Sequence, residues 1–443
     1  MRISRKLAYS FGAVAMALSF QAFSTYIVFF YVDIVKLPAY LAATGMLIYA
    51  VWNAINDPLA GYISDHTHSR WGRRIPYIAL GAIPFGLIYF LLWIPPFTEY
   101  SQIFMLFIYF VVFICLFDTF YTITILNWSC LYPEMFPGLK ERSQVNAFRQ
   151  TFTMFGLLLG VALPPIIYGS LGWGVLGAVF GVLIAVSLLI VLFGSREHVQ
   201  YCQEKQLSFW LSFKYTFQNS SFLTFVFANF FVQFSFLMVL ATVPFFTKYV
   251  LDISATKTAA IFAIAFIAAI PMLYVWEFIA NRVGAKKTFM SALLVMALCL
   301  LPLFSAVNFW STFIAAAFVG VGLSGFMLVA DLIIADVIDE DEIKTGTRRE
   351  GIYFGSTAFI SRFAIALEAV CMGVIFIKTG YSPYIFKQTG EFLLGLRFLI
   401  AGIPIIALLL AFVIISFYPL SGKSKFKQLH NQLEKLHEKK GVN

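Results

Sequence analysis

Apolar runs of roughly twenty residues, separated by short polar segments, fill most of the chain. A helix needs about 20 apolar residues to cross a hydrocarbon core about 30 Å thick. Stretches such as 87–94 and 403–417 are apolar on every side, which is typical of lipid-embedded helices, whereas a membrane β-barrel alternates apolar and polar positions. The pattern therefore predicts an all-α integral membrane protein with twelve transmembrane helices. The predicted spans are 11–32, 41–63, 75–94, 103–126, 145–168, 175–193, 222–246, 259–280, 288–304, 309–334, 353–377 and 392–418.

Composition excludes several function classes. The 443 residues are 60% hydrophobic and 12% charged, against roughly 25% charged in an ordinary soluble domain. These values exclude a soluble enzyme and a nucleic-acid-binding protein. No nucleophile–base pair, metal-binding cluster or phosphate-binding loop stands out, so we expect no enzymatic activity, no cofactor and no metal other than a possible Na⁺.

The positive charges indicate topology. Most of the 31 Lys and Arg residues fall in the N-terminal segment, the tail and the loops after every second span, and five fall in the opposite loops. Basic residues concentrate on the cytoplasmic side of membrane proteins. We therefore predict a multi-pass protein of the cell (plasma) membrane with both termini in the cytoplasm. We expect it to be a monomer whose surroundings are the lipid bilayer.

The sequence contains an internal repeat of its two halves. Loop 61–74 and loop 277–287 each carry a helix-ending Asp or Asn, an Arg, a Gly and a basic pair, and Asp65 and Asn281 are 216 positions apart. A parallel repeat of six helices is typical of transporters. The predicted domains are an N-terminal six-helix bundle (1–194), a cytoplasmic linker (195–221), a C-terminal six-helix bundle (222–420) and a basic cytoplasmic tail (421–443).

Two motifs carry a family resemblance. Residues 51–77 read V-W-N-A-I-N-D-P-L-A-G-Y-I-S-D-H-T-H-S-R-W-G-R-R-I-P-Y, and residues 335–355 read A-D-V-I-D-E-D-E-I-K-T-G-T-R-R-E-G-I-Y-F-G. Both resemble signatures of the glycoside-pentoside-hexuronide:cation symporters. This resemblance implies the major facilitator fold, with twelve helices in two pseudo-symmetric six-helix bundles around a central cavity that opens alternately to either side.

Candidate cation-coupling residues are ionisable or polar groups at membrane depth, where burial is costly without a functional reason. Asn53 and Asp57 are four residues apart and share a helix face, and Asp118 lies mid-span on helix 4. The resemblance implies two carboxylates on the helix 2 face that serve the coupling cation, and here the first is Asn53. Coupling to Na⁺, to H⁺ or to neither remains open, as does a purely structural role of Asp57.

Candidate substrate-binding residues follow from the same resemblance. Trp128 matches a Trp on which a sugar ring stacks, Arg149 matches an Arg of the substrate site, and Arg362 stands where relatives carry a Lys. Thr124 takes the place of a sugar-binding carboxylate on helix 4. Because this chain lacks that acid and keeps the arginines, the charge of the site favours an anionic substrate, such as a uronide or a molecule with a phosphate-bearing headgroup. In the alternative interpretation both arginines are counter-ions of internal acids.

Candidate gating residues are charged groups at the cytoplasmic helix ends, where charge pairs can form and break as one bundle rocks on the other. They are Asp65, Arg70, Arg73 and Arg74 in the first loop and Asp336, Arg348 and Arg349 in the mixed-charge cluster after span 10. Solvated loops are the alternative interpretation of both groups.

The sequence thus predicts a secondary active transporter that moves a sugar, glycoside or uronide with H⁺ or Na⁺ by alternating access. Two alternatives remain: a transporter of lysolipids or other amphiphiles with the same fold, and a receptor that binds a small-molecule substrate without moving it.

Overall fold

A computed structural model describes residues 2–65, 67, 69, 71–97, 102–136, 139–196, 216–345, 350–385 and 387–420. Every long regular element in this part of the chain is a helix, in agreement with the predicted fold class. The helices are α1 (Ile3–Ile34), α2 (Ala39–Asp65), α3 (Ile75–Leu92), α4 (103–135), α5 (Leu139–Ser170), α6 (Trp173–Gly194), α7 (Ser220–Tyr249), α8 (Ala255–Val283), α9 (Ala285–Ser305), α10 (Phe309–Thr345), α11 (Glu350–Lys378) and α12 (Gly390–Ser416).

These twelve helices follow the predicted spans in order. Within the described ranges, eleven of them are long and apolar enough to cross a membrane. The remaining helix, α2, has 27 residues, enough to span a bilayer at 1.5 Å per residue. Its apolar character is reduced because it carries Asn53, Asn56 and Asp57.

Three of the described helices contain a short π-helical segment, in which the backbone bulges and each N–H bonds to the carbonyl oxygen five residues earlier instead of four. The segments are Phe29–Ile34 in α1, Thr122–Leu126 in α4 and Phe398–Gly402 in α12. Each contains or adjoins a polar side chain that contacts another helix. Such segments frequently occur at functional sites.

The chain divides into two compact units. The first comprises Met1–Lys205, Thr247–Ala263 and Ala369–Phe392, and the second comprises Gln206–Phe246, Ile264–Glu368 and Leu393–Asn443. The first unit therefore contains α1 to α6 together with neighbouring ends of α7, α8, α11 and α12. The division predicted from the sequence repeat stays a prediction, and most of its linker and the whole of its tail lie outside the described residues.

Small residues allow the helices of each unit to approach closely, as in other membrane bundles. In the first unit α3 crosses α6 where Gly86 faces Gly181, and a Cβ added to Gly86 would lie 2.4 Å from the Gly181 carbonyl oxygen. In the second unit α10 crosses α8 at Gly320, where a Cβ would lie 2.0 Å from the Ala265 carbonyl oxygen. These glycines set the distances between the helices.

We expect Gly86→Ala to lower thermal stability by about 1 to 3 kcal/mol, because the new methyl group overpacks the α3–α6 crossing. The measurement is thermal unfolding of the purified protein in detergent. Gly355→Ala is the matched control, because a Cβ at this helical glycine meets nothing within 4 Å. Equal melting temperatures for the two variants would contradict the packing argument.

Candidate functional site

The α2–α4 contact contains a buried carboxylate, Asp118, which is 1% exposed. Asn53 donates a short hydrogen bond to Asp118 Oδ1. Asn56 Nδ2 donates to Asp118 Oδ2 at 2.9 Å and to the Asp118 carbonyl oxygen at 3.1 Å. Both carboxylate oxygens therefore accept hydrogen bonds from side-chain amides of the neighbouring helix, which meets the requirement that a buried polar group be hydrogen-bonded.

A second polar contact lies one helical turn further along. Thr122 Oγ1 donates to Asp57 Oδ1 at 2.8 Å, and this contact has the same separation of 65 positions as the contact between Asn53 and Asp118. Since four residues rise about 6 Å, the two carboxylates lie about one turn apart along the parallel helices. Asp57 is half-buried. We call Asn53, Asn56, Asp57, Asp118 and Thr122 the α2–α4 polar cluster.

The structure thus brings together the three candidate cation-coupling residues. Thr122 and Asn56 were not among the candidate site residues. A signal was present in the spacing, because Asp118 and Thr122 are four apart on α4, as Asn53 and Asp57 are on α2. The π-helical segment Thr122–Leu126 begins within the cluster.

Trp128 on α4 is fully buried against the first turns of α1. Its Nε1 donates to the Tyr9 carbonyl oxygen at 2.8 Å, and the Tyr9 hydroxyl donates to the Trp128 carbonyl oxygen at 2.8 Å. The two rings stack with centroids 5.6 Å apart. A Cβ added to Gly12 would lie 2.3 Å from the indole, so α1 comes as close to this ring as a glycine allows.

Arg149 on α5 packs against the aromatic side chains of this end of α4. Its guanidinium carbon lies 4.7 Å from the centroid of the Trp128 ring and 4.5 Å from that of Tyr132. A planar guanidinium stacks favourably on such faces while keeping its N–H groups available. In this conformation Trp128 supports Arg149 and exposes no face of its own. Its role in stacking a sugar stays a prediction.

The other two candidate substrate residues have different surroundings. Thr124 is buried and donates to the Phe120 carbonyl oxygen of its own helix at 2.7 Å, and its methyl group faces Gly81 of α3. Arg362 lies on α11 in the second unit and is half-buried. The adjacent Ser361 accepts a 3.4 Å hydrogen bond from Asn229 of α7.

The candidate gating residues are described only in part. Arg74 is buried at the start of α3 and its Nη1 donates to Asn127 Oδ1 at 3.4 Å, while Arg73 is half-buried. Asp336 is half-buried on the last turns of α10. The side chain of Asp65 and residues Arg70, Arg348 and Arg349 lie outside the described residues.

A further charged contact joins α1 to α5 at the same end as Arg74. Lys6 is buried, and its Nζ lies 3.0 Å from Glu141 Oε1 and 3.0 Å from Gln144 Oε1. Glu141 is one of the internal acids that the alternative interpretation pairs with Arg149, and in the structure it contacts Lys6. Among the described residues no group of three His, Cys, Asp or Glu side chains could hold a metal ion.

Eleven described helices long and apolar enough to cross a membrane, with a polar cluster between α2 and α4, are the features of a multi-pass membrane protein. A model of the MFS/sugar transport protein family, where MFS denotes the major facilitator superfamily, matches residues 8–422. The chain belongs to this family, which confirms the resemblance seen in residues 51–77 and 335–355. The members of this family are transporters.

Curated relatives match nearly the whole chain. The isoprimeverose transporter of Lactiplantibacillus pentosus is 26% identical over 94% of this chain and 88% of its own length. The sodium-dependent lysophosphatidylcholine symporter 1-A of Danio rerio is 22% identical over 95% of this chain and 86% of its own length. Both relatives are named as transporters, and they carry different classes of solute.

The fold is also that of solved transporters. A bacterial homologue of the human lysosomal transporter Spinster superposes with a TM-score of 0.69 at 13% identity, covering 98% of this chain and 99% of its own. The predicted major facilitator fold is therefore confirmed.

We expect Trp128→Phe to destabilise the protein by about 1 to 3 kcal/mol, because the buried Tyr9 carbonyl oxygen loses its donor. Thermal unfolding in detergent measures this loss. Trp310→Phe is the control, since Trp310 is 68% exposed at the start of α10 and should tolerate the change. A Trp128→Phe protein as stable as the control would show that the hydrogen bond contributes little.

Proposed function

We propose that this transporter is a symporter that couples Na⁺ or H⁺ movement to uptake of a sugar, glycoside or uronide. The observation that carries the proposal is the α2–α4 polar cluster, which offers two carboxylates with amide and hydroxyl oxygens at membrane depth. Hard cations prefer oxygen ligands. Ionisable groups inside a membrane protein typically mark ion or substrate pathways.

The cluster accounts for the departure at Asn53 from the two-carboxylate pattern that the family resemblance implies. Asn53 places an amide where that pattern has an acid, and the amide contacts Asp118 of α4. With Asp57 one turn away, the pair of helices again carries two carboxylates. The charge available to a cation is thus the same as in the two-carboxylate pattern, although one acid comes from α4.

The proposed substrate class draws on the isoprimeverose transporter as a relative and on the chemistry of Arg149. A guanidinium held between two aromatic rings presents fixed N–H donors, which suit hydroxyl-rich or anionic solutes. The second candidate is a lysolipid, favoured by the lysophosphatidylcholine symporter relative and by Thr124 in place of a carboxylate. A receptor that binds without transport is the third.

We further propose that the protein is a monomer of the plasma membrane with both termini in the cytoplasm. The distribution of Lys and Arg supports this orientation of the termini. The coupling ion is its only required inorganic partner. Alternating access of the two sequence halves, 1–194 and 222–420, would move the solute, with the charged groups near Arg73, Arg74 and Asp336 forming and breaking contacts.

Uptake into proteoliposomes tests the proposal. A panel of glycosides, hexuronides, pentosides and lysolipids is offered with an imposed Na⁺ gradient, an imposed proton gradient or neither. Gradient-dependent accumulation of a sugar or uronide supports the proposal and identifies the ion. Movement of lysolipid alone favours the second candidate. Binding of a solute without accumulation under any gradient would favour the receptor.

We expect Asp57→Asn to abolish gradient-driven uptake while counterflow exchange is partly retained, because exchange needs substrate binding but no net movement of the cation. Radiolabelled uptake and counterflow in the same proteoliposomes separate the two activities. Thr122→Val, which removes only the hydroxyl that donates to Asp57, is the milder variant. Undiminished gradient-driven uptake by Asp57→Asn would exclude Asp57 as the coupling residue.

We expect Asn53→Asp and Asp118→Asn each to reduce gradient-driven uptake by about tenfold, and the double variant to recover most of it. Asn53→Asp places two carboxyl groups opposite each other across the α2–α4 contact. Asp118→Asn leaves Asp57 as the one acid of the cluster. The double variant keeps the charge and exchanges donor and acceptor. The measurement is initial uptake rate at equal protein density. A double variant as impaired as the worse single variant would argue against a shared cation site.

A further inference from the structure

A second buried carboxylate, Asp33, lies in the π-helical segment at the end of α1 remote from the N-terminus, and it is 0% exposed. Lys248 and Tyr249, at the end of α7, donate short hydrogen bonds to its two oxygens. Tyr381, between α11 and α12, donates to Asp33 Oδ1 at 2.6 Å. All four residues belong to the first unit. One carboxylate thus ties α1 to two segments from the second half of the sequence.

Further contacts surround this group. Lys36 Nζ donates to the Asp33 carbonyl oxygen at 2.6 Å and also to the Pro383 carbonyl oxygen. The Tyr381 ring packs against Phe376 and Phe392, with centroids 4.8 Å and 4.7 Å away. The loop between α11 and α12 is therefore held both by hydrogen bonds to the end of α1 and by aromatic contacts behind it.

Two other contacts between helices of the same unit are apolar and formed by small residues. A Cβ on Gly373 of α11 would lie 2.9 Å from the Ala43 Cβ of α2, and a Cβ on Gly169 of α5 would lie 2.7 Å from the Ala255 Cβ of α8. Such apolar surfaces can separate and re-form without leaving an unpaired charge. They also do little to fix the orientation of one helix against the other. Hydrogen bonds to a buried carboxylate do fix it.

We propose that Asp33, Lys248, Tyr249 and Tyr381 form a latch that holds the end of α7 and the α11–α12 loop against α1 and opens once in each transport cycle. The cycle itself rests on the proposed function. If both termini are cytoplasmic, the latch closes the outer end of the first unit.

The exposure of the partners suits a contact that opens. The Lys248 side chain is 36% exposed while Asp33 is fully enclosed, so water reaches the cation first and can hydrate both groups as they separate. The desolvation cost of a buried ion pair nearly cancels its attraction, which leaves a small net bias rather than a permanent bond. Burial, and then the Asp33 carboxylate, raise the pKa of Tyr381 well above its usual range, so this phenol remains a donor.

The sequence repeat gives independent support. Asp33 and Tyr249 are 216 positions apart, the same displacement that relates Asp65 to Asn281. Asp33 is the penultimate residue of α1 and Tyr249 is the last residue of α7, so the two residues occupy similar positions in the two repeats. A contact between equivalent ends of two repeats lies where opening one side of an alternating-access transporter has to separate the helices.

Spin-label distance measurements on the full chain test the latch. In a chain with all five native cysteines replaced, Tyr40→Cys and Ile385→Cys place labels at exposed positions on α2 and the α11–α12 loop. We expect Asp33→Asn and Lys248→Met each to raise the long-distance population about tenfold, the change given by a bias of about 1.4 kcal/mol. Lys378→Met, which removes an exposed Lys at the same end of α11, is the matched control and should leave the distances unchanged.

The outcomes separate the latch from the proposed function. If Asp33→Asn fails to fold, Tyr381→Phe removes one hydroxyl from the same group and should produce a smaller shift in the same direction. Unchanged distances in every folded latch variant would overturn the latch, whatever the parent protein transports. Lengthened distances in the latch variants, together with a parent protein that accumulates no solute, would support the latch and contradict the symporter.

Discussion

A carboxylate enclosed by apolar helices must receive hydrogen bonds from the protein, and the arrangement around Asp118 follows from that constraint. Both of its oxygens accept from amides one turn apart on α2, which fixes the rotation and register of α2 against α4. Once that register is set, Thr122 meets Asp57 one turn further on. The position of the second carboxylate is thus a consequence of how the first is satisfied.

The spans were predictable from sequence because a run of about twenty apolar residues is a property of one segment. Their ends were less predictable. The first span was expected at 11–32, yet α1 begins at Ile3, because the charge of Lys6 is met by Glu141 and Gln144 of a distant helix. A hydropathy scale scores Lys6 as unfavourable in a membrane helix, and it contains no information about the residues that Lys6 contacts in the fold. The tenth span likewise extends from the predicted residue 334 to Thr345, through its charged end.

The same distinction, between features of one segment and contacts between distant segments, applies to the site residues. The shared face of Asn53 and Asp57 follows from helical spacing, whereas the contact with Asp118 depends on which helices are neighbours. The two hydrogen bonds between Trp128 and Tyr9, 119 positions away, likewise depend on which helices are neighbours. Asp33 was missed because it falls just beyond the predicted first span, and its partners come from positions 215 to 348 residues further along the chain.

Asp118 and Asp33 differ in the charge of the hydrogen-bond donors described around them, and this difference favours different roles for the two carboxylates. Lys248 brings a positive charge to Asp33, so a cation arriving there would have to displace an ammonium group that is already in contact. Asn53 and Asn56 bring hydrogen bonds without charge to Asp118. An amide satisfies the geometry of a carboxylate and can turn its own oxygen toward an incoming ion. This contrast supports the two proposals, that the α2–α4 polar cluster receives the coupling cation and that the charge-paired Asp33 holds a contact that breaks and re-forms between helices.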